Sequence, residues 1–153
     1  MNSFPLFYNQ AVEAWEGMQC LQREECLQIC HGNLDHHHVL LGDRYVAFIE
    51  FNKMHLGNQM TDLYHFMRKV MEKQDWDLEL GEEMLSAYDR ILPLEQSDRH
   101  CLYYLFLYPE KYWKQINFYY NARKAWIPVR NMEKIKTLEN QTEIRLKFLE
   151  LLQ

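Results

Sequence analysis

His31-Gly32-Asn33-Leu34-Asp35-His36-His37-His38-Val39-Leu40-Leu41 is the stretch on which the fold turns. A histidine and a glycine at a turn, a polar run and then a short apolar strand predict a site-bearing loop between strands. On its upstream side Cys26-Leu27-Gln28-Ile29-Cys30 reads as a short strand leading into His31. On its downstream side the Gly42-Asp43 turn signal joins Val39-Leu40-Leu41 to a second strand over Tyr45 to Phe51, which predicts a small hairpin. That second strand ends in Ile49-Glu50-Phe51-Asn52, with a carboxylate at its end.

Helical spacing governs what lies outside this segment. Ahead of it, Phe7, Val12, Trp15, Met18 and Leu21 recur on one face, predicting a leading helix within residues 1–25. Residues 52–60 are polar and irregular, with Gly57 and Asn58 as breakers. Thr61 or Asp62 can N-cap a helix through Leu63, Phe66, Met67, Val70 and Met71. Further helices are expected over Leu78 to Ile91, Glu95 to Tyr108, and from Glu110 to Asn121 or beyond, with Pro93 and Pro109 as stops. A single final helix is expected from Met132 to Leu152. The expected fold class is mainly α with a small β-hairpin insert, in one domain covering residues 1–153: leading helix 1–25, loop and hairpin 26–52, and helical subdomain 61–153.

The chain has 153 residues, which suits one domain with a sizeable core, and its five glycines and four prolines argue against disorder. A formal net charge of −5 speaks against a dedicated nucleic-acid binder, because a basic face is that function's electrostatic requirement. Cys20, Cys26, Cys30 and Cys101 form no CxxC pair, so they are expected to be reduced and the compartment cytosolic. The start Met1-Asn2-Ser3-Phe4-Pro5 has no signal-peptide pattern, and the apolar run Leu102 to Tyr108 is too short to span a bilayer.

The order histidine–glycine loop, strand, strand-end acid resembles the catalytic half of the aminoglycoside-phosphotransferase-like kinases, whose loop reads H-G-D-x-x-x-x-N and whose next strand ends in I-D-F. The resemblance implies a protein-kinase-like carboxyl-terminal lobe. It also implies that Asn33 stands at the family's aspartate position, where the substrate hydroxyl is held and its proton accepted. His38 and Glu50 stand where the magnesium and nucleotide-phosphate ligands belong. An amide cannot accept a proton as a carboxylate does, and an imidazole is a borderline ligand where hard Mg²⁺ prefers oxygen. Asp35 is a possible substitute for the missing aspartate. Asp62 corresponds to the aspartate that holds the loop's backbone from the next helix, a role compatible with a plain N-cap, and His31 is expected to be a loop-bracing histidine. The His36-His37-His38 run does not favour a zinc site, since consecutive side chains cannot all face one ion.

Further along, Asp62-Leu63-Tyr64-His65-Phe66 and Leu105-Phe106-Leu107-Tyr108-Pro109-Glu110-Lys111-Tyr112-Trp113-Lys114 resemble the CotS-type spore coat kinases of endospore-forming bacteria. Asn117-Phe118-Tyr119-Tyr120-Asn121 and Lys124-Ala125-Trp126-Ile127-Pro128 continue that likeness. Read from helical spacing alone, Tyr103, Phe106, Tyr108, Trp113, Phe118, Tyr119 and Trp126 are expected to be mostly core.

The family's small amino-terminal lobe, which carries the phosphate-pairing lysine, has no room ahead of residue 31, so a carboxyl-terminal lobe alone is expected. The resemblance implies a spore-coat-associated protein with a degenerate site and a structural or interaction role in sporulation. Its partners would be other coat proteins or a separate amino-terminal lobe, with no nucleic acid and no membrane span. Its place would be the mother-cell cytoplasm and then the spore coat. No cofactor is expected, or Mg-ATP if the site is retained. The alternatives are an ATP-dependent small-molecule phosphotransferase completed by that amino-terminal lobe, and a fragment without independent function.

Overall fold

The structure, a computed structural model, describes residues 3–21, 27–121 and 128–153. Its elements run α1 (Phe4–Leu21), β1 (Gln28–Cys30), β2 (Val39–Leu41), β3 (Val46–Phe48), β4 (His55–Gly57), α2 (Met60–Lys73), α3 (Leu78–Asp89), α4 (Gln96–Leu107), α5 (Glu110–Asn121), α6 (Val129–Asn140) and α7 (Thr142–Glu150). Short 3₁₀ turns at His36–His38 and Phe51–Lys53 interrupt the β region. The architecture is mainly α, as the periodicity predicts, and β2 and β3 form the expected antiparallel hairpin, Val39 facing Phe48.

A second ladder is absent from the sequence reading. Residues 52–60, expected to be irregular, contain β4, which pairs antiparallel with β1 so that Ile29 faces Leu56. Three residues with a glycine among them carry no strand signature of their own; β4 exists because β1 offers it a partner.

α2 organises the core. Met60, Leu63, Tyr64, Met67 and Met71 are buried at helical spacing, and Met67 and Met71 are fully enclosed. They meet Leu102 and Phe106 of α4, Phe148 and Leu149 of α7, and Trp76. Phe106 and Phe148 pack edge-on at 5.0 Å between ring centroids. Trp76 reaches this core from a left-handed backbone conformation (φ 60°), its amide donating to the Met71 carbonyl at the end of α2. A smaller cluster joins Phe7, Tyr112 and Ile135, with the Phe7 and Tyr112 rings stacked at 4.2 Å.

α1 packs through Phe7, Gln10 and Ala14, with Met18 and Leu21 of the expected face against the core but not Val12 or Trp15. Val12 and Trp15 are exposed, because Gly17 lies flat against the Tyr104 ring and a Cβ there would collide with it. The contact with α4 thereby fixes which side of α1 turns inward. The final helix is two helices. Gln141 divides α6 from α7, and Thr142 folds its hydroxyl back onto the Leu138 carbonyl at 2.8 Å. This break lets Arg145 enter the interior, where its Nη1 donates to the Phe106 and Leu107 carbonyls at 2.7 and 3.3 Å and its Nη2 to the Gln10 side chain.

The aromatic expectation also needs correction. Phe106 is buried, Tyr103 and Trp113 are half-buried, and Tyr108, Phe118 and Tyr119 are exposed. Trp126, with the rest of 124–127 and with Cys26, lies outside the described residues. Among the described residues no helix is long and apolar enough to cross a membrane.

Candidate active site

β1 delivers the chain to His31, and Gly32 then turns through a positive φ of 78°. Glycine is required there, because a Cβ would run into the Lys53 carbonyl. The bend points two successive amides at one carboxylate. Asp62 Oδ2 accepts from the His31 N–H at 2.5 Å and Oδ1 from the Gly32 N–H at 2.9 Å. Ionised acceptors make such bonds the strong ones.

Capping of α2 falls to another residue. The helix starts at Met60, whose N–H donates to the Asn58 side chain at 2.8 Å, so neither Thr61 nor Asp62 is the N-cap. Asp62, in the first turn, is free to serve the loop.

His31 is buried and joins the loop to the end of the hairpin. Its Nδ1 accepts from the Asn33 N–H at 3.3 Å, which places the proton on Nε2, and Nε2 donates to the Ile49 carbonyl at 2.9 Å. The ring packs on Phe51 and lies nearly parallel to His38. His38 Nδ1 donates to the Asn33 carbonyl at 2.7 Å and lies 3.6 Å from Asp35 Oδ1, while the His38 carbonyl accepts from the Ile49 N–H at 3.0 Å. Asn33 is thus tied at both its backbone groups.

Asp35 is almost fully buried, and both its oxygens are engaged. Oδ1 caps the His36–His38 turn by accepting from the His37 N–H at 2.8 Å, and Oδ2 meets Lys69 Nζ at 2.5 Å. Burial would raise its pKa, but the Lys69 ammonium and the His37 amide outweigh burial and hold it down at about 2. A carboxylate so placed is a poor proton acceptor near neutrality, and its bonds to His37 and Lys69 hold the loop. Lys73, one turn beyond Lys69, donates to His36 Nε2 at 2.7 Å.

Sequence reasoning missed both lysines. The signal was there in part: Lys69 lies seven residues after Asp62, on the same side of α2.

Glu50 ends the hairpin in the left-handed region (φ 67°, ψ 50°), exposed and without a side-chain cap bond. For a non-glycine residue this conformation costs about 1–2 kcal/mol and persists only where surroundings impose it. Glu50→Gly is therefore expected to raise unfolding stability by about 1 kcal/mol. Glu50→Ala should stay within about 0.5 kcal/mol of the parent. Urea midpoints of the three proteins measure both.

As donors for magnesium, His38 offers a nitrogen, poorly matched to that hard cation, and Glu50 a single exposed carboxylate. Around this loop the ribbons expose apolar side chains: Leu41 is 80% exposed, Ile29 67%, Leu56 65%, Val46 59% and Phe48 50%.

With this geometry in view, the likeness to known proteins is in the fold. No protein-family model matches the chain, and no curated protein does. Among solved structures, the aminoglycoside phosphotransferase from Alicyclobacillus acidocaldarius subsp. acidocaldarius DSM 446 superposes with a TM-score of 0.81 at 16% identity. The match covers 99% of this chain and 47% of that one. The fold is aminoglycoside phosphotransferase-like, and the chain spans about half the length of that relative.

Proposed function

We propose that this protein is a CotS-like, spore-coat-associated member of the phosphotransferase-like fold whose site has lost its chemistry. In this reading it works by contact with other coat proteins, first in the mother-cell cytoplasm and then in the coat. The observation that carries the degenerate site is the inward engagement of the loop. Asn33 is held through its backbone, Asp35 is neutralised by Lys69, and His38 is turned onto Asn33, so no carboxylate is left at the aspartate position to take a hydroxyl proton. The exposed apolar ribbons support a contact role, since patches of this kind mark interaction surfaces.

A second reading keeps one observation on its side. The Asp62 brace on His31 and Gly32 maintains the loop's frame, as an ATP-dependent small-molecule phosphotransferase completed by an amino-terminal lobe would need.

Thermal unfolding with and without Mg-ATP separates the two. The variants are the parent and Asn33→Asp, His38→Asn, Glu50→Asp combined. Nucleotide at a hundred times its dissociation constant adds about 2.7 kcal/mol. No shift in either protein, or a shift in the triple variant alone, is the expected result for a degenerate site. A shift in the parent overturns that reading in favour of nucleotide binding.

A further inference from the structure

The Tyr108-Pro109-Glu110-Lys111-Tyr112 segment takes no part in the His31–Glu50 loop, yet it forms one wall of a cleft of about 40 Å³ between α2, α5 and α7. α2 faces two ways. Asp62, Lys69 and Lys73 look to the loop, whereas Tyr64, Arg68 and Glu72, one turn apart from each other, look into the cleft.

The charges in the cleft do not cancel. Glu72 accepts from Arg68 at 3.3 Å and from Lys111 at 2.7 Å. Glu110 is shared by Arg68 at 3.3 Å, the Tyr64 hydroxyl at 3.2 Å and Lys114. Arg145, 8% exposed, reaches no carboxylate among the described residues and bonds only neutral carbonyl oxygens. Two guanidiniums and a lysine thus face two fully engaged acids, against walls supplied by Trp76, Phe106 and Tyr112.

We propose that this cleft is a binding site for a small carboxylate, which supplies the negative charge that Arg145 lacks and meets the guanidinium group of Arg68 on the cleft wall. A guanidinium edge matches two carboxylate oxygens in geometry and gains from a low-dielectric wall. The space is that of roughly three waters, which admits an anion of a few heavy atoms and excludes a nucleotide. The site is independent of the phosphotransferase-type loop and of its loss of chemistry.

Acetate is the probe. The indole N–H of Trp76 and the Nε–H signals of the arginines are followed by NMR while acetate replaces chloride at constant ionic strength, in the parent and in Arg68→Lys. A saturable shift in the parent that weakens about tenfold or more in Arg68→Lys is the expected result, because lysine keeps the charge and loses the planar guanidinium fork. An identical, non-saturating response to acetate and chloride overturns the proposal and assigns the cleft to water. A saturable shift unchanged in Arg68→Lys overturns it as well, by placing acetate elsewhere. If Arg68→Lys fails to fold, Lys111→Gln serves in its place. That side chain is 47% exposed, and its loss must likewise weaken acetate or the proposal falls.

Discussion

Arg145→Met will destabilise the protein by about 2–5 kcal/mol, because it leaves two buried backbone acceptors and a buried amide oxygen without a donor. Methionine fills most of the volume of the arginine stem but donates nothing. The Phe106 and Leu107 carbonyls lie in the last turn of α4, where no intrahelical N–H reaches them, and Arg145 is the donor they have. Each buried acceptor left unpaired costs about 1–3 kcal/mol. Gln10 of α1 loses its partner at the same time, so one substitution loosens α1, α4 and α7 together. Burial pulls the Arg145 pKa down to about 10, which still leaves the side chain charged near neutrality, and the negative end of the α4 dipole favours that charge. Denaturant titration monitored by far-UV circular dichroism reads the loss. A cost below about 1 kcal/mol would show that the carbonyls find water instead.

The second large effect is at Asp62. Asp62→Asn keeps one oxygen but turns an NH₂ group toward either the His31 or the Gly32 amide, opposing donor to donor. The loss of a charged acceptor plus one unpaired amide amounts to about 2–3 kcal/mol. The test distinguishes a loop brace from a helix cap. Amide exchange should accelerate at His31 and Gly32 and stay slow through Met60–Leu63, whose first turn Asn58 caps. Acceleration confined to the start of α2 would return Asp62 to the capping role.

What the chain disclosed in advance follows from what is local. The prolines at 93 and 109 and the Gly42-Asp43 turn are signals close to the boundaries they set, and α5 begins where the spacing places it. The break at Gln141 has no glycine or proline to announce it; it is imposed by the destination of Arg145. β4 is invisible for the same reason, since its partner lies far back in the sequence. Trp15 and Phe118 defeat periodicity because several faces of α1 and α5 are apolar enough to be buried, and neighbouring helices choose one. At the loop, the positions of His31, Asn33, His38, Glu50 and Asp62 were legible from residue order. The ties that decide their chemistry were not, because Lys69, Lys73 and the Ile49 backbone reach them only in three dimensions.

The β1–β4 ladder has a kinetic meaning. Joining Gln28 to Gly57 closes a loop of roughly thirty residues, which costs about 3 kcal/mol of chain entropy for a ladder of three residue pairs. Contacts at that separation form after the turns of the helices, whose bonds are local. The loop from His31 to Glu50 lies inside that closure, so its order depends on the ladder. Under the contact role proposed above, the exposed apolar ribbons lie on a segment whose order depends on that closure, where a partner has order to add.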